Sequence, residues 1–156
     1  IQKANAVGVD GIIVADLPVE ESNYLRNLCN NNNIHLIQML APTSTSERIK
    51  KTCEIASGFI YCVSLTGVTG ARKNIGPEIE LLVAKIRSHT SIPIMVGFGI
   101  SNREHVETIG GFADGAIIGS ALLDTIGKST GQRATSKACN FVKTLINVPY
   151  NRIGVG

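Results

Sequence analysis

Aromatic side chains and long apolar runs are both scarce in this chain. Of its 156 residues only 4% are aromatic and none is Trp, so Ile, Val and Leu must fill the core. The length suffices for one domain with a buried core. No apolar run approaches the ~20 residues that a membrane-spanning helix needs. We therefore expect a cytoplasmic protein without a membrane partner. Richness in Asn, Ile and Lys suits a plastid genome or a low-GC bacterium, so the plastid stroma is the alternative location.

Concentrated positive charge and metal-ligand spacings are also missing. The net charge is only +3, and neither a basic block nor a Lys/Arg stripe with interleaved aromatics occurs. This argues against nucleic acid as a partner. The four cysteines, at positions 29, 53, 62 and 139, show no CxxC or Cys/His ligand spacing. The sequence therefore predicts free thiols in a reducing compartment and no metal site.

What the sequence does contain is a series of short apolar runs rich in Ile and Val. Each run is nearly continuous rather than alternating, which is typical of strands buried on both faces of a parallel sheet. The runs are GIIVAD (11–16), IHLIQMLAP (34–42), GFIYCVSLTG (58–67), IPIMVGFG (92–99) and GAIIGS (115–120).

Helical patterns separate these runs and also follow the last one. Four helices are predicted to open at Pro18–Glu21, Thr43–Glu47, Gly76–Pro77 and Ser101–Glu104, the last with the spacing of a capping box in which Ser101 is the cap. A final helix is predicted over residues 132–147, and the tail of an earlier helix over residues 2–8. The predicted inward face of the final helix is Ala138, Phe141, Val142, Leu145 and Ile146.

This alternation of strands and helices predicts a parallel sheet with helical crossovers, in an α/β fold. Two architectures fit it, a doubly wound open sheet and a (β/α)8 barrel, and periodicity alone does not separate them. A complete barrel has about 250 residues. In the barrel interpretation, residues 1–156 are a single partial domain with about five of the eight units. The chain also starts in mid-pattern and without Met, which suggests a truncated sequence.

The ends of the later strands are rich in glycine. In an α/β barrel the chemistry gathers at the carboxyl ends of the strands, and here Gly97-Phe98-Gly99 ends one strand and Gly119-Ser120 the next. Glycine lets backbone N–H groups approach a phosphate dianion, which a helix N-terminus also attracts. We therefore predict a phosphate site here, with Ser120 capping a short apolar turn. For any single glycine, a tight turn without a ligand is the alternative.

Other candidate residues lie at or near the strand ends. Asp16 follows the first strand, where it could orient a substrate or a catalytic group, or could cap the next helix. Tyr61 lies within the third strand and is either core or a ligand contact, and its hydroxyl needs a partner. The segment SLTGVTGARKN (64–74), with Gly67 and Gly70 as hinges, is predicted to be a lid that closes over the ligand, or else an ordinary mobile loop.

Four motifs, GVDGIIVADLPVEES, SLTGVTGA, VGFGIS and GAIIGSA, resemble the tryptophan synthase α subunit family in their order. The resemblance runs from about Ala4 to Val148, and the first two motifs are specific together. It implies a TIM (β/α)8 barrel, of which this chain covers roughly strands 4 to 8. It also implies cofactor-free, retro-aldol cleavage of indole-3-glycerol phosphate to indole and glyceraldehyde 3-phosphate, in L-tryptophan biosynthesis.

The resemblance implies a phosphate site built from backbone N–H groups. These would come from Gly70, Gly99, Gly119 and Ser120, with Phe98 beside them.

It further implies roles at the indole end and at a partner surface. Ile13 and Tyr61 would line the indole pocket, Thr69 would lie in the closing lid, and Asp16 would help to position that lid. Residues 16–21 would face the β subunit, which receives indole within an α2β2 heterotetramer.

One departure from the family is large. The two principal catalytic carboxylates of the family, a Glu at the end of an early strand and an Asp in the following loop, belong to a part of the barrel that these residues do not include. No Asp or Glu of this chain is assigned to replace them. Some relatives carry Arg at the position of Leu65, so an ion pair in the lid is not assumed.

Two other functions remain open at this stage. Another phosphate-binding barrel, such as a phosphosugar isomerase or indole-glycerol-phosphate synthase, would want Lys or His at the strand ends, and none of the five ends has either. The other alternative is a non-catalytic half-barrel that only binds a partner. The sequence that precedes residue 1 would discriminate, because an early strand ending in Glu favours the α subunit.

Overall fold

The computed structural model of the chain describes residues 1–63, 75–97 and 99–146, in which five parallel strands form one sheet. The strands are β1 (Gly11–Ile13), β2 (His35–Leu40), β3 (Ile60–Val63), β4 (Ile94–Gly97) and β5 (Gly115–Ile117). Their spatial order follows the sequence, β1-β2-β3-β4-β5, whereas a doubly wound sheet reverses its order at a switch point. The sheet is therefore a curled parallel half-barrel, and the predicted α/β fold is confirmed.

Helices connect the strands and cover one face of the sheet. They are α1 (Gln2–Ala6), α2 (Asn23–Asn30), α3 (Ser46–Ile55), α4 (Pro77–Arg87), α5 (Arg103–Gly110), α6 (Ser120–Gly127) and α7 (Gln132–Leu145). The predicted start of α4 is confirmed, with Pro77 in the first turn after Gly76. Over the residues described, no helix is long and apolar enough to cross a membrane.

Two predicted helix starts are wrong. The segment after β1 forms turns rather than a helix, because the N–H of Glu21 donates to Pro18 O (3.0 Å) and the Ser22 hydroxyl donates to Val19 O (2.8 Å). The helix then begins at Asn23, five residues later than predicted. In α5 the cap is Asn102 and not Ser101, since the Asn102 amide oxygen accepts from the N–H of His105 at 2.9 Å.

The pairing register divides the sheet into a helix-covered face and a concave face. Ile60, Cys62, Ile94 and Val96 alternate towards the helices and are essentially buried, together with apolar residues of α3, α4 and α5. The residues between them in sequence, such as Tyr61, Val63 and Met95, point the other way and are only half-buried. The core therefore lies between the sheet and its helices, and the concave face remains accessible in this chain.

The last helix is less buried than its sequence predicts. It ends at Leu145, which is buried, whereas Val142 and Ile146 on the predicted inward face stay exposed and Phe141 is half-buried. A cavity of about 300 Å³ remains where these side chains meet Leu122 of α6 and residues of α5 and β5. The apolar face is present, but within the described residues α7 leaves part of it exposed.

At the amino end of β4, one carboxylate joins three elements. Asp114, just before β5, accepts from the N–H of Ile94 at 2.7 Å and forms an ion pair with Arg87 of α4. The N–H of Asp114 in turn donates to Ile94 O at 3.0 Å. These hydrogen bonds, the one from Ile94 first and then the one from Arg87, hold the pKa of Asp114 below its ordinary value.

Candidate functional site

The predicted phosphate site lies where β4 and β5 end side by side. Gly97 and Ile117 are partners in the register of β4 and β5, so Gly99 and Gly119 each lie two positions beyond the end of their strand. Gly99 has φ of 72°, a left-handed conformation that strongly favours glycine. Gly119 precedes α6 directly, and a Cβ at Gly119 would meet no atom within 4 Å. The two adjacent strand ends thus leave the backbone around the start of α6 accessible to a ligand.

The first turn of α6 offers backbone donors to a ligand. The first helical hydrogen bonds run from the N–H of Leu122 and Leu123 to Gly119 O, at 3.0 and 3.1 Å. By helix geometry the N–H groups of Ser120 and Ala121 precede these bonds and have no acceptor within the helix. No acidic residue stands in this turn and no side chain caps it. The arrangement suits an anion, since a helix N-terminus carries partial positive charge.

The predicted cap of this turn is wrong. Gly119 occupies the N-cap position, and Ser120 is the first residue of the helix, which runs for eight residues instead of a short turn. A residue at the first helical position already has helical backbone angles, so its hydroxyl does not make the capping bond that a residue one position earlier makes. Ser120 is exposed, and its N–H and hydroxyl remain available at the site.

Asp16 lies at the opposite edge of the same end of the sheet. It is exposed and stands in a turn three residues beyond the last residue of β1. It lines a cavity of about 210 Å³ with neighbouring residues 14–19, with 36–39 of β2, and with Arg48. The alternative role as a helix cap does not apply, because α2 begins at Asn23 with Ser22 before it.

An ion pair attaches the segment after Asp16 to α3. Arg48 donates to both carboxylate oxygens of Glu20, with N···O distances of 3.4 and 3.2 Å. A hydrogen bond from its own backbone lowers the pKa of Glu20, and Arg48 lowers it further. Sequence analysis did not identify this pair, because the two residues are 28 positions apart and only the folded loop brings them together.

The two predicted indole-pocket residues share the concave face. Tyr61 is half-buried, and burial raises the pKa of its hydroxyl. Its ring lies against β4, where a Cβ on Gly97 would be 2.5 Å from the Tyr61 hydroxyl oxygen. Ile13 is 46% exposed at the edge strand β1. Between these two residues on that face lie Ile37 and Met39 of β2, so they border one apolar surface without being neighbours.

Three predicted site residues, Gly70, Thr69 and Phe98, fall outside the described residues, as does the whole predicted lid (64–74). The structure therefore brings together Gly99, Gly119 and Ser120, and it places Ile13 and Tyr61 on one face. Asp16 is near the carboxyl end of β1. Sequence analysis overlooked Gly97 as the glycine that gives Tyr61 its space, although the GFG pattern marked the strand end.

The described residues contain no set of side chains that could bind a metal ion. Across residues 1–63, 75–97 and 99–146, no group of three His, Cys, Asp or Glu residues is placed to hold a metal ion. The buried thiol of Cys62 has its pKa raised to about 12 by burial, with a smaller effect from Cys53. It is packed in the core between sheet and helices.

Known proteins of one kind match this chain. The family model described as tryptophan synthase alpha chain matches residues 1–148. The tryptophan synthase alpha chain of Methanocaldococcus jannaschii is 46% identical over 137 residues, which are 88% of this chain and 49% of the relative. That of Roseiflexus castenholzii is 44% identical over 140 residues, or 90% of this chain and 54% of the relative. The chain thus spans about half the length of these curated relatives.

Solved structures agree with these sequence matches. A structure of the tryptophan synthase a2b2 complex from Pyrococcus furiosus superimposes with a TM-score of 0.85 at 36% identity, covering 94% of this chain and 59% of that one. Tryptophan synthase subunit alpha from Campylobacter jejuni gives a TM-score of 0.77 at 33% identity, covering 92% and 56%. With a family model over residues 1–148 and the same fold in both structures, the chain belongs to the tryptophan synthase alpha chain family.

Proposed function

We propose that residues 1–156 form one partial domain, roughly strands 4 to 8 of a (β/α)8 barrel, within a tryptophan synthase α subunit. The complete enzyme, meaning these residues preceded by front units of the kind that the relatives carry, cleaves indole-3-glycerol phosphate to indole and glyceraldehyde 3-phosphate. It works without a cofactor, in the cytoplasm or, if plastid-encoded, in the plastid stroma. The principal catalytic carboxylates come from the front units.

The observation that carries this proposal is the pair of open glycine ends at the start of α6. Gly99 and Gly119 each lie two positions beyond a paired strand residue, and the N–H groups of Ser120 and Ala121 have no acceptor within the helix. Such a site binds the phosphate of the substrate through backbone donors and the helix dipole, without a cation. The resemblance adds Gly70 to these donors and Phe98 beside them.

With the phosphate held there, the indole end of the substrate reaches across the concave face. Tyr61 and Ile13 border this face, and the space beside Gly97 lets the Tyr61 ring lie close to β4. The residues of this chain bind and orient the substrate, and Thr69 in the lid excludes water with the help of Asp16. The absence of Lys and His from the described strand ends fits this role better than that of a phosphosugar isomerase.

The partner in this proposal is the β subunit, in an α2β2 assembly. Residues 16–21 lie exposed at the carboxyl end of β1, except for buried Val19 and half-buried Leu17, and form hydrogen-bonded turns that present a defined surface. Indole released on the concave face leaves near this surface. The likeness to the α chain in the Pyrococcus furiosus a2b2 complex supports the choice of partner.

The proposal is tested by placing a side chain over the predicted phosphate position. Gly119→Val in the complete enzyme should raise KM for indole-3-glycerol phosphate by about tenfold or more, through lost N–H approach. Gly110→Val is the matched control, since a Cβ at Gly110 also meets no atom within 4 Å. Unchanged KM for Gly119→Val, with melting temperatures equal in both variants, would contradict the site.

A further inference from the structure

An open, solvent-exposed cavity lined by cations lies beyond the carboxyl end of α6. It has a volume of about 590 Å³ and is lined by Gly127, Lys128, Ser129, Thr130, Arg133 and Lys137. Three of these six residues carry a cation and two carry a hydroxyl, and no carboxylate is among them. The lining is therefore made of hydrogen-bond donors that favour an anion.

The local charges at this cavity are unfavourable for the helix that carries them. Arg133 stands in the first turn of α7, where the helix dipole disfavours a cation, and no acidic residue occupies that turn. Lys137 follows Arg133 by four positions, a like-charge spacing that destabilises a helix. Local rules broken without local compensation are a feature of functional sites.

No carboxylate neutralises these cations within the part of the chain that the structure describes. The ion pairs found there join Glu20 to Arg48, Asp114 to Arg87 and Glu107 to Arg103. Asp124 precedes Lys128 by four positions, but no ion pair forms between them among these residues. Three positive charges therefore share one cavity.

We propose that this cavity binds a phosphate dianion, either free or as the phosphate group of a small metabolite. The Arg133 guanidinium offers a planar fork of donors to phosphate oxygens, and the two ammonium groups and the hydroxyls of Ser129 and Thr130 complete a donor set. Bound phosphate relieves the repulsion between Arg133 and Lys137.

The cavity is separate from the proposed substrate-phosphate site. The helix α6 has eight residues, which correspond to a length of about 12 Å. One phosphate group is too small to contact both Gly119 at the start of α6 and the cations at its end. Screening at physiological ionic strength, with a Debye length of about 8 Å, also leaves little electrostatic coupling between the two.

The test is a titration of backbone amide NMR signals in the complete enzyme, at about 0.15 M ionic strength so that screening keeps the two sites electrostatically separate. Inorganic phosphate should shift the amide signals of residues 128–133 saturably, with Kd in the millimolar range, about 1–10 mM. Added NaCl should weaken this binding. In a second arm glycerol 3-phosphate replaces inorganic phosphate. Equal affinities support recognition of the phosphate group alone, and binding of the ester only supports a phosphorylated metabolite.

Matched charge variants separate a built site from general attraction. The triple variant Lys128→Gln, Arg133→Gln, Lys137→Gln should raise Kd by about tenfold or more. The control Lys3→Gln, Lys50→Gln, Lys85→Gln removes the same charge from exposed positions elsewhere and should change Kd by less than about twofold. Arg133→Lys alone should retain part of the affinity, because the charge remains and the fork is lost.

The proposal is overturned if residues 128–133 show no saturable shift, or if both triple variants weaken binding equally. Shifts at residues 119–121 report on the substrate-phosphate site and are read separately. Loss of binding at residues 119–121 with binding kept at 128–133 would contradict the proposed function and leave this inference standing. The reverse pattern would contradict this inference alone.

Discussion

The two ends of the sheet use backbone groups in opposite ways. At the amino end of β4 the N–H of Ile94 is bonded to the Asp114 carboxylate, which also holds Arg87. At the carboxyl ends of β4 and β5, glycines leave the start of α6 open. The N–H groups of its first turn lie before the first hydrogen bonds of the helix and have no acceptor within it. The amino end thus uses its polar groups in stabilising hydrogen bonds, whereas the carboxyl end leaves them available for a ligand. This division is the usual one in (β/α)8 barrels.

The largest expected effect concerns catalytic groups that are not among these residues. The 156-residue chain by itself should show no detectable cleavage of indole-3-glycerol phosphate, although it carries most of the proposed phosphate site. General acid–base groups contribute typically ~10²–10⁴-fold each, and the two principal carboxylates of the family are not among these residues. Turnover is measured with protein purified from a host that lacks its own α subunit. Measurable turnover there would show that a carboxylate of this chain does the chemistry.

Stability should also depend on what covers the sheet edges. In the described residues β1 and β5 each pair with a single neighbouring strand, so the chain alone exposes two unpaired backbone edges. We expect the chain alone to aggregate or to melt without cooperativity. The complete enzyme, in which front units can pair with both edges, should melt cooperatively. A soluble monomer of the chain with a sharp thermal transition would contradict this expectation.

A smaller effect distinguishes two glycines at the binding end. Gly97→Ala places a Cβ 2.5 Å from the Tyr61 hydroxyl oxygen and 2.6 Å from a ring carbon, so ring or strand must move. Overpacking of this kind costs about 1–3 kcal/mol of unfolding free energy, measured in the complete enzyme by denaturant titration. Gly119→Ala, where no atom lies within 4 Å, is the control; it should lose only the N-cap preference of Gly over Ala, about 0.5 kcal/mol. Equal losses in the two variants would refute the distinction.

Sequence reasoning succeeded where one pattern dominated and failed where neighbouring residues competed. The Ile- and Val-rich runs predicted five strands, because short, nearly continuous runs of this kind between turn signals are typical of parallel sheets. Ser101 and Asn102 are both good caps, and the pattern alone did not show that the hydrogen bond to His105 belongs to the second of them. The late start of α2 depends on the Ser22 hydroxyl bonding Val19, a tertiary detail of the turn.

The candidate site was inferred from patterns of the same kind, and its ligand stays a prediction. Glycine at Gly99 and Gly119 was informative because backbone approach to phosphate depends on local geometry. The Glu20–Arg48 pair and the space that Gly97 gives Tyr61 arise from contacts between separate elements. No spacing in the sequence indicates such contacts.

At the amino end, Asp114→Asn should reduce stability and leave substrate binding unchanged. The carboxylate accepts a charge-assisted hydrogen bond from Ile94 and pairs with Arg87, but its side chain is 43% exposed. We expect a loss of about 0.5–1 kcal/mol, discounted for solvent screening. Asp10→Asn, another exposed carboxylate near a strand start, is the control. A change in KM with Asp114→Asn would break the division between the two ends.

The same carboxylate gives this loss a pH dependence. The pKa of Asp114 is lowered in the folded state, so its stabilisation is present above the unfolded value of about 3.9. It is lost as the pH falls through the lowered folded pKa. The difference in unfolding free energy between the original protein and Asp114→Asn should therefore be constant near neutral pH and shrink below about pH 4. A difference that grows on acidification would show that another group is responsible.

The smallest expected effect lies at the binding end, in the Glu20–Arg48 pair. Both side chains are nearly half exposed, so the pair contributes little to global stability, but it fixes the turn segment that we propose to face the β subunit. In the complete enzyme, Glu20→Gln or Arg48→Gln should raise Kd for the β subunit by about two- to fivefold. The double variant should be no weaker than either single variant, because each removes the same interaction. Removing the exposed pair Arg103–Glu107 on α5 with Arg103→Gln is the control and should leave Kd unchanged. The differences in Kd between the original protein and these variants should also disappear at high salt, which screens an exposed pair. If Arg103→Gln weakens binding as much, or if the losses from Glu20→Gln and Arg48→Gln add in full, the pair does not position this surface.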